Sequence, residues 1–272
     1  MPLRPIPNCA ESIALGYPSE KADAGASTRY ASYRMTDGII EHPSPNFDAR
    51  KLPISIIVIH YTGMVDAASA LERLCDPASK VSSHYLIAED GLIYRLVHET
   101  KRAWHAGRAH WRGIDDVNSA SIGIELVNPG HENGYRPFAE AQMEALIPLM
   151  AGIVRRYGIT RGNIVGHSDV APARKDDPGE LFDWERLARF RLALPRPTKY
   201  LTDPLWSDAS FLLALERFGY DVVDGEAAVR AFQRRFRPSL IDGVIDGQCR
   251  AILLSLLTGG DKGAETRRGR SG

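Results

Sequence analysis

Residues 54–60 read ISIIVIH, a β-branched and almost wholly apolar run that follows Pro53. A run of this length and composition predicts a strand that is buried on both faces, in the middle of a sheet. His60 ends the run, where a side chain projects from rigid backbone at the rim of the sheet. The sequence therefore predicts a central strand that presents a histidine to a cleft.

Strands and helices alternate after this run. Asp66 is a suitable N-cap for a helix over residues 67–74, and residues 83–97 predict a hairpin with its turn at residues 89–91. The remaining elements are a strand, a helix and a second buried strand, over residues 121–127, 139–157 and 163–167. Strands interleaved with helices, with a hairpin among them, predict an α/β fold with a mixed central β-sheet flanked by helices.

The chain divides into five parts by composition. After a loosely patterned N-terminal arm at residues 1–24, the α/β pattern fills residues 25–192. Prolines punctuate a linker at residues 193–204, and residues 205–257 then carry the pattern of three short helices, a small all-α domain. Residues 258–272 are rich in glycine and charge, which predicts a disordered tail.

The charges of the chain are balanced, with 34 Lys and Arg residues against 34 Asp and Glu residues among 272. A chain with no basic excess lacks the electrostatic attraction that nucleic-acid binding requires. Several arginines in residues 230–237 raise the alternative of a DNA-binding helix-turn-helix, but residues 205–257 hold six arginines against seven acidic residues. We therefore expect no nucleic-acid partner.

The cysteines and the apolar runs exclude further classes. Cys9, Cys75 and Cys249 are scattered and odd in number, so they predict neither a disulfide framework nor a cysteine-based metal site. No apolar run approaches the length of about 20 residues that spans a bilayer, and the first residues lack the pattern of a signal peptide. We expect no membrane span and a cytoplasmic location; a misassigned or trimmed start would instead allow the periplasm or the cell envelope. The oligomeric state cannot be read from the sequence.

The positions of the histidines indicate a metal site. All eight precede residue 168, and His60 and His167 each end a predicted strand, while the loop after His167 returns Asp176 and Asp177 toward the same rim. Two imidazoles and one carboxylate form a ligand set suited to catalytic Zn²⁺, with the fourth position open to water. We predict one zinc ion per chain; the alternative is that these histidines are ordinary side chains of the rim.

Two further residues are candidates for catalysis. Glu125 lies between Ile124 and Leu126 in an apolar strand, a costly place for a carboxylate unless it faces a polar cleft or a partner. This makes it the candidate general base, with an inward salt bridge as the alternative. Lys175 can supply positive charge to an oxyanion, although a loop lysine is often only solvated.

Six segments, in this order, resemble a known family. They are SPNFDAR (44–50), HYTGM (60–64), VSSHYLI (81–87), AWHAG (103–107), SIGIE (121–125) and VGHSDVAPARKDDPG (165–179). Together they are similar to the zinc-dependent N-acetylmuramoyl-L-alanine amidases of the type 2 class, over residues 43–190.

The resemblance implies roles for the candidate residues. It implies that His60, His167 and Asp177 bind zinc, since the family places its carboxylate ligand directly before Pro-Gly. It also implies that Glu125 is the base and that Lys175 supports the transition state. Hydrolysis of the amide between N-acetylmuramic acid, or its 1,6-anhydro form, and the L-alanine of a stem peptide is the expected activity, in cell-wall turnover or muropeptide recycling. The alternative is a non-catalytic peptidoglycan-recognition protein of the same fold.

Substrate contacts are predicted for four residues of the shared segments. His84 lies in a strand motif and either lines the cleft, orients a ligand or is purely structural. Trp104 and His105 predict an aromatic and hydrogen-bonding wall, and Arg174 suits a stem-peptide carboxylate, with a structural ion pair as its alternative. Asp169 is interpreted as a turn former or an acceptor behind the ligands, because a fourth protein ligand would displace the water.

The last part of the chain carries its own resemblance. Residues 218–221, 228–236 and 241–247 are similar to a small peptidoglycan-binding domain of three helices. Its apolar stripe would serve a helical core whatever the domain binds. Peptidoglycan or muropeptide fragments are therefore the expected partners.

Overall fold

Strands and helices alternate through residues 38–259, the part of the chain that the computed structural model describes. The predicted N-terminal arm and almost all of the predicted tail lie outside these residues. The strands are β1 (Ile39–Glu41), β2 (Phe47–Ala49), β3 (Ile56–Tyr61), β4 (Tyr85–Ile87), β5 (Ile93–Arg95), β6 (Lys101–Ala103), β7 (Ser121–Leu126) and β8 (Ile164–Gly166). The helices are α1 (Ala67–Cys75), α2 (Val117–Ala120), α3 (Glu140–Tyr157), α4 (His167–Val170), α5 (Trp184–Arg189), α6 (Asp208–Phe218), α7 (Gly225–Phe236) and α8 (Gly247–Gly259).

The central sheet is mixed, as predicted. Its six strands follow the order β1-β5-β4-β7-β3-β8, and β2 pairs with β6 in a separate antiparallel ribbon. Strand β3 runs parallel to both its neighbours, β7 and β8, which explains its almost unbroken apolar sequence. The predicted hairpin is the antiparallel pair β4 and β5. The sheet therefore confirms the predicted fold class.

Strand alternation decides which residues reach the site. Ile57 and Ile59 of β3 pack in the cluster that contains α3, whereas Ile56 and Val58 pack on the opposite side of the sheet. Because successive side chains point to opposite faces, His60 continues the side of Ile56 and Val58. The same alternation in β7 puts Gly123 and Glu125 on the face of His60, since Ile122, Ile124 and Leu126 pack toward α3.

Local signals fix the ends of the elements. The Asp66 carboxylate accepts the N–H of Ser69 and caps α1, and α3 ends at Gly158, whose φ of 65° suits glycine. The sequence predicts that His167 ends a strand, but in the structure His167 begins α4. Asp169 Oδ2 accepts the N–H of Gly166 at 2.7 Å and so starts a helical turn. The elements that the sequence did not reveal, β1, β2, β6, α2 and α5, are three to six residues long, too short for a period to show.

The C-terminal segment forms three helices, α6 to α8. Phe211, Leu215 and Phe232 of these helices are buried in one cluster with Ile56 and Val58 of β3. The helices thus share one hydrophobic core with the side of the sheet on which His60 lies. The predicted domain boundary at residues 193–204 stays a prediction. Among residues 38–259, no helix is both long and apolar enough to cross a bilayer.

Candidate metal centre and active site

Three buried ligand atoms converge at the rim of the sheet. His60 comes from β3, His167 from the first position of α4, and Asp177 from the loop beyond α4. The two Nδ1 atoms lie 3.0 Å apart, and Asp177 Oδ2 lies 3.0 Å from His60 Nδ1 and 3.1 Å from His167 Nδ1. In the described residues these three form the group of side chains that can hold a metal ion. Asp176, which the residues alone did not separate from Asp177, is exposed and points to Arg234 instead.

Hydrogen bonds turn both imidazoles toward this point. His167 Nε2 donates to the carbonyl of Ala106 at 3.1 Å, and His60 Nε2 lies 3.0 Å from His105 Nδ1. Each Nδ1 therefore keeps its lone pair for the centre. Burial and the neighbouring His167 lower the pKa of His60 to about 4. Burial opposes ionisation of Asp177, but the two histidines outweigh it and hold its pKa below the usual range.

The spacing of the ligand atoms fits a tetrahedral metal. Zinc bonds nitrogen and carboxylate oxygen at about 2.0–2.2 Å, so two ligands of one tetrahedral ion lie about 3.3 Å apart. The observed separations of 3.0–3.1 Å are close to this value. Three protein donors also leave a tetrahedral position free. The donor set and its spacing can therefore hold a metal ion.

A relay behind His60 fixes its orientation. His105 Nε2 lies 3.1 Å from Ser121 Oγ, and that hydroxyl donates to the carbonyl of Val117 at 2.6 Å. With the hydroxyl hydrogen committed to Val117, Ser121 accepts from His105, and His105 Nδ1 accepts from His60. Burial and the neighbouring histidines lower the pKa of His105 well below its usual value, so the ring stays neutral. Gly123 leaves space for the His105 ring, because a Cβ at this position would lie 2.5 Å from His105 Cγ.

Glu125 lies beside His60 in the register of the sheet. Its side chain is half-buried, and its Oε2 atom has no hydrogen-bond partner in the described part of the chain. Burial, followed by the charge of Asp177, raises its pKa to about 8, against a smaller opposite effect of Lys175. Among residues 38–259, Glu125 does not form the salt bridge that was the alternative to its role as a base. A carboxyl with a pKa near neutrality at the wall of a cleft is suited to proton transfer.

The ligands and Glu125 open into a cavity of about 340 Å³. Lys175 and Trp104, two of the predicted site residues, line it. The sequence did not single out Arg73 or His131, which also line it. Arg73 faces this cavity from the exposed side of a helix, where no sequence pattern distinguishes it from a solvated arginine.

Three of the four predicted substrate contacts have other roles in the structure. His105 lines the cavity but also forms the relay behind His60. His84 is fully buried and does not line the cavity; its Nδ1 accepts the N–H of Gly123, and its Nε2 lies 3.1 Å from the carbonyl of Lys101. The structure therefore places His84 away from the cavity, and its contact with a substrate stays a prediction. Arg174 lines the cavity, but its Nη2 donates to the carbonyl of Ala106, the group that accepts from His167.

The comparisons with known proteins agree with this geometry. The family model of N-acetylmuramoyl-L-alanine amidase (Amidase_2) matches residues 50–180. The N-acetylmuramoyl-L-alanine amidase AmiD of Escherichia coli is 40% identical over 253 residues, which cover 81% of this chain and 90% of AmiD. The chain belongs to the N-acetylmuramoyl-L-alanine amidase family. It hydrolyses the amide bond between N-acetylmuramic acid and the L-alanine of peptidoglycan stem peptides.

Other amidases are similar in sequence or in structure. The 1,6-anhydro-N-acetylmuramyl-L-alanine amidase AmpD of Haemophilus influenzae is 39% identical over 53% of this chain and 86% of its own length. The structure of E. coli AmiD with the substrate anhydro-N-acetylmuramic acid-L-Ala-D-γ-Glu-L-Lys superposes with a TM-score of 0.69, at 38% identity over 78% of this chain and 93% of that one. AMPDH3 of Pseudomonas aeruginosa gives a TM-score of 0.69 at 31% identity, over 85% of this chain and 97% of its own.

Proposed function

We propose that this amidase is a zinc enzyme whose metal ion is held by His60, His167 and Asp177. The observation that carries the proposal is the convergence of their three ligand atoms in a buried site, with the Nδ1 lone pairs of both imidazoles directed inward. Two nitrogens and one carboxylate oxygen are a donor set typical of catalytic zinc. When bound, zinc polarises a carbonyl group and lowers the pKa of water, both of which favour amide hydrolysis near neutral pH.

Glu125 moves the proton of the reaction. Glu125 lines the cavity beside His60, and its carboxylate accepts a proton there from the attacking water. The oxygen of that water forms a bond to the lactyl carbonyl carbon, the carbon–nitrogen bond breaks, and the proton passes from Glu125 to the nitrogen of L-alanine. One water and one amide are consumed, and the products are the carboxyl group of the muramic acid and the free amine of the peptide. A pKa raised to about 8 allows the group both to accept and to release a proton.

Lys175 supports the carbonyl oxygen as it gains negative charge. Its side chain is exposed on the cavity rim and forms no ion pair with any residue between 38 and 259. A cation that is not neutralised by a neighbour can meet a developing oxyanion. Trp104 presents an apolar ring on the wall of the same cavity, where it packs against the sugar or the peptide.

The proposed substrate is a soluble muropeptide that carries N-acetylmuramic acid or its 1,6-anhydro form. Support comes from the relatives, since AmpD is named for the 1,6-anhydro substrate and AmiD was solved with an anhydro-muramyl tripeptide. The helices α6 to α8 are proposed to bind peptidoglycan, on the strength of their resemblance to a peptidoglycan-binding domain. The cytoplasmic location stays a prediction from the sequence.

The test compares zinc binding and hydrolysis in one set of proteins. Purified protein loaded with zinc is expected to release the L-alanyl peptide from anhydro-muramyl tripeptide, as seen by chromatography, and a chelator is expected to abolish the release until zinc is restored. Asp177→Asn removes a ligand charge and is expected to lose both zinc and activity. Asp176→Asn is the matched control, because it changes the neighbouring carboxylate, which pairs with Arg234 and is not one of the three converging ligands.

Three outcomes contradict the proposal. Hydrolysis that survives complete removal of metal would exclude a zinc mechanism. Loss of zinc in Asp176→Asn but not in Asp177→Asn would show that the ligand set is wrong. Tight zinc binding without any release of peptide would favour the recognition function over catalysis.

A further inference from the structure

Asp169 is a buried carboxylate close to the metal centre that the proposed mechanism does not use. It lies two residues after His167, and it is 1% exposed. Its oxygens accept three hydrogen bonds: Oδ2 from the N–H of Gly166 at 2.7 Å and from Arg235 Nη1 at 2.8 Å, and Oδ1 from the hydroxyl of Tyr220 at 2.5 Å. Two of the three donors belong to the C-terminal segment, outside the residues that match the family model.

Both C-terminal donors are fixed by their own surroundings. Arg235 on α7 is 4% exposed; its Nη2 donates to the carbonyl of Ile164 at 2.8 Å, and its guanidinium carbon lies 3.8 Å from the ring centre of Trp184. Tyr220 is fully buried against Trp111, and burial followed by the charge of Asp169 raises its pKa well above the usual value, so it stays a donor. The donors therefore hold Asp169 in one position.

Asp169 in turn holds the backbone that carries two of the ligands. Its bond to the N–H of Gly166 starts α4, whose first residue is His167. The N–H of Ser168 donates to the carbonyl of Asp177 at 2.9 Å, so the two ligand-bearing parts of this segment are tied together. His60, by contrast, is held by the central sheet. A shift of α4 would therefore move His167 and Asp177 together relative to His60.

We propose that Arg235 and Tyr220 are positioning residues for the metal centre and that they act through Asp169. By holding Asp169, they fix the positions of the ligands His167 and Asp177 relative to His60. This inference rests on the proposed zinc site and assigns the C-terminal helices a role in it besides binding peptidoglycan. A second contact, Arg234 Nη2 to Asp176 Oδ1 at 2.6 Å, joins α7 to the residue before Asp177. That pair contributes less, because Asp176 is more than half exposed and solvent screens it.

The test measures zinc affinity in folded protein. Tyr220→Phe removes one donor and keeps the buried ring, and Arg235→Lys keeps the charge but cannot bond Asp169 and Ile164 together. The matched controls are Tyr157→Phe, which removes a hydroxyl bonded to Glu99, and Arg230→Lys, on the exposed side of α7. Affinity is measured by competition with a chromophoric chelator, and the absorption of bound cobalt(II) reports the ligand geometry. Groups that orient metal ligands typically change affinity by about 10–100-fold.

We expect each test variant to weaken zinc binding by about tenfold or more and to alter the cobalt spectrum, while the controls match the wild type. Circular dichroism of the metal-free proteins verifies that they are folded at the assay temperature. If Arg235→Lys does not fold, Tyr220→Phe alone decides the test. Test variants that lose thermal stability yet keep wild-type affinity and an unchanged spectrum would overturn the inference and leave the zinc site intact. A wild type that binds no zinc would overturn both proposals.

Discussion

Replacement of Glu125 by glutamine should remove activity and, in the metal-free protein, make the fold less sensitive to a rise in pH from about 4.5 to about 8. Glu125 is held with one unpartnered oxygen in a cavity wall and with its pKa raised from 4.5 to about 8. Between these two pH values the folded protein keeps the proton, whereas the unfolded chain has released it. The folded state therefore loses stability as the pH rises through this window. Glutamine has nearly the same shape and does not titrate, so the variant lacks this loss.

The size of the effect follows from the shift in pKa. Since one pKa unit corresponds to about 1.4 kcal/mol, a rise from 4.5 to about 8 amounts to about 5 kcal/mol once the group is ionised. Glu125 is only half-buried, so solvent screening reduces this value, and we expect about 2–3 kcal/mol. The substitution thus stabilises the fold at high pH but impairs catalysis, because loss of a general base lowers the rate by about 10²–10⁴-fold.

The assay is urea unfolding of chelator-treated wild type and Glu125→Gln at pH 5 and at pH 8.5. The free-energy difference between the two proteins should shift in favour of the variant by about 2–3 kcal/mol between these pH values, since groups distant from Glu125 titrate alike in both. Glu144→Gln, on the exposed side of α3, is the control and should change by less than about 0.5 kcal/mol. A difference between wild type and Glu125→Gln that is the same at both pH values would refute the reasoning, because Glu125 would then ionise normally in the folded protein.

Two further substitutions examine the groups behind His60. His105→Phe keeps a ring but removes the acceptor for His60 Nε2. Zinc affinity, measured by competition with a chelator, should therefore fall by about 10–100-fold. An affinity equal to that of the wild type would show that the relay does not orient His60. Gly123→Ala places a Cβ 2.5 Å from His105 Cγ, so the ring must move, and both zinc affinity and the melting temperature should fall. A variant with a wild-type melting curve and affinity would show that His105 can shift without consequence.

The sequence predicted those parts of the fold that follow from periodicity. The apolar run at residues 54–59 and the alternation within β3 are local properties, and they place His60 at the rim whatever surrounds it. The helix α3 and the hairpin of β4 and β5 were predicted for the same reason. The choice of Asp177 over Asp176 needed the family resemblance, because adjacent residues in a loop share every local signal. The structure brings Asp177 to the two histidines and leaves Asp176 exposed.

Contacts between residues that are distant in the sequence could not be predicted from local patterns. Nothing local indicates that His105 lies against His60, 45 residues earlier, because this depends on the absence of a side chain at Gly123 in another strand. His84 illustrates the converse, since it shares a family segment with the site but is enclosed by the backbone of Gly123 and Lys101. A histidine that lies in a family segment can therefore be structural, and only packing shows whether it meets a ligand.

The arginines of the C-terminal helices show why a count of charges is a weak guide to what those charges do. A surface that binds phosphates needs guanidinium groups that are open to solvent and free of carboxylates. Arg234, Arg235 and Arg237 are instead 12%, 4% and 2% exposed, and each is paired with a carboxylate. The pairs of Arg234 and Arg235 lie on the segment between His167 and Asp177. Since a buried guanidinium is stabilised only while its partner stays in place, the same pairs that neutralise these charges also restrict the backbone that carries the metal ligands.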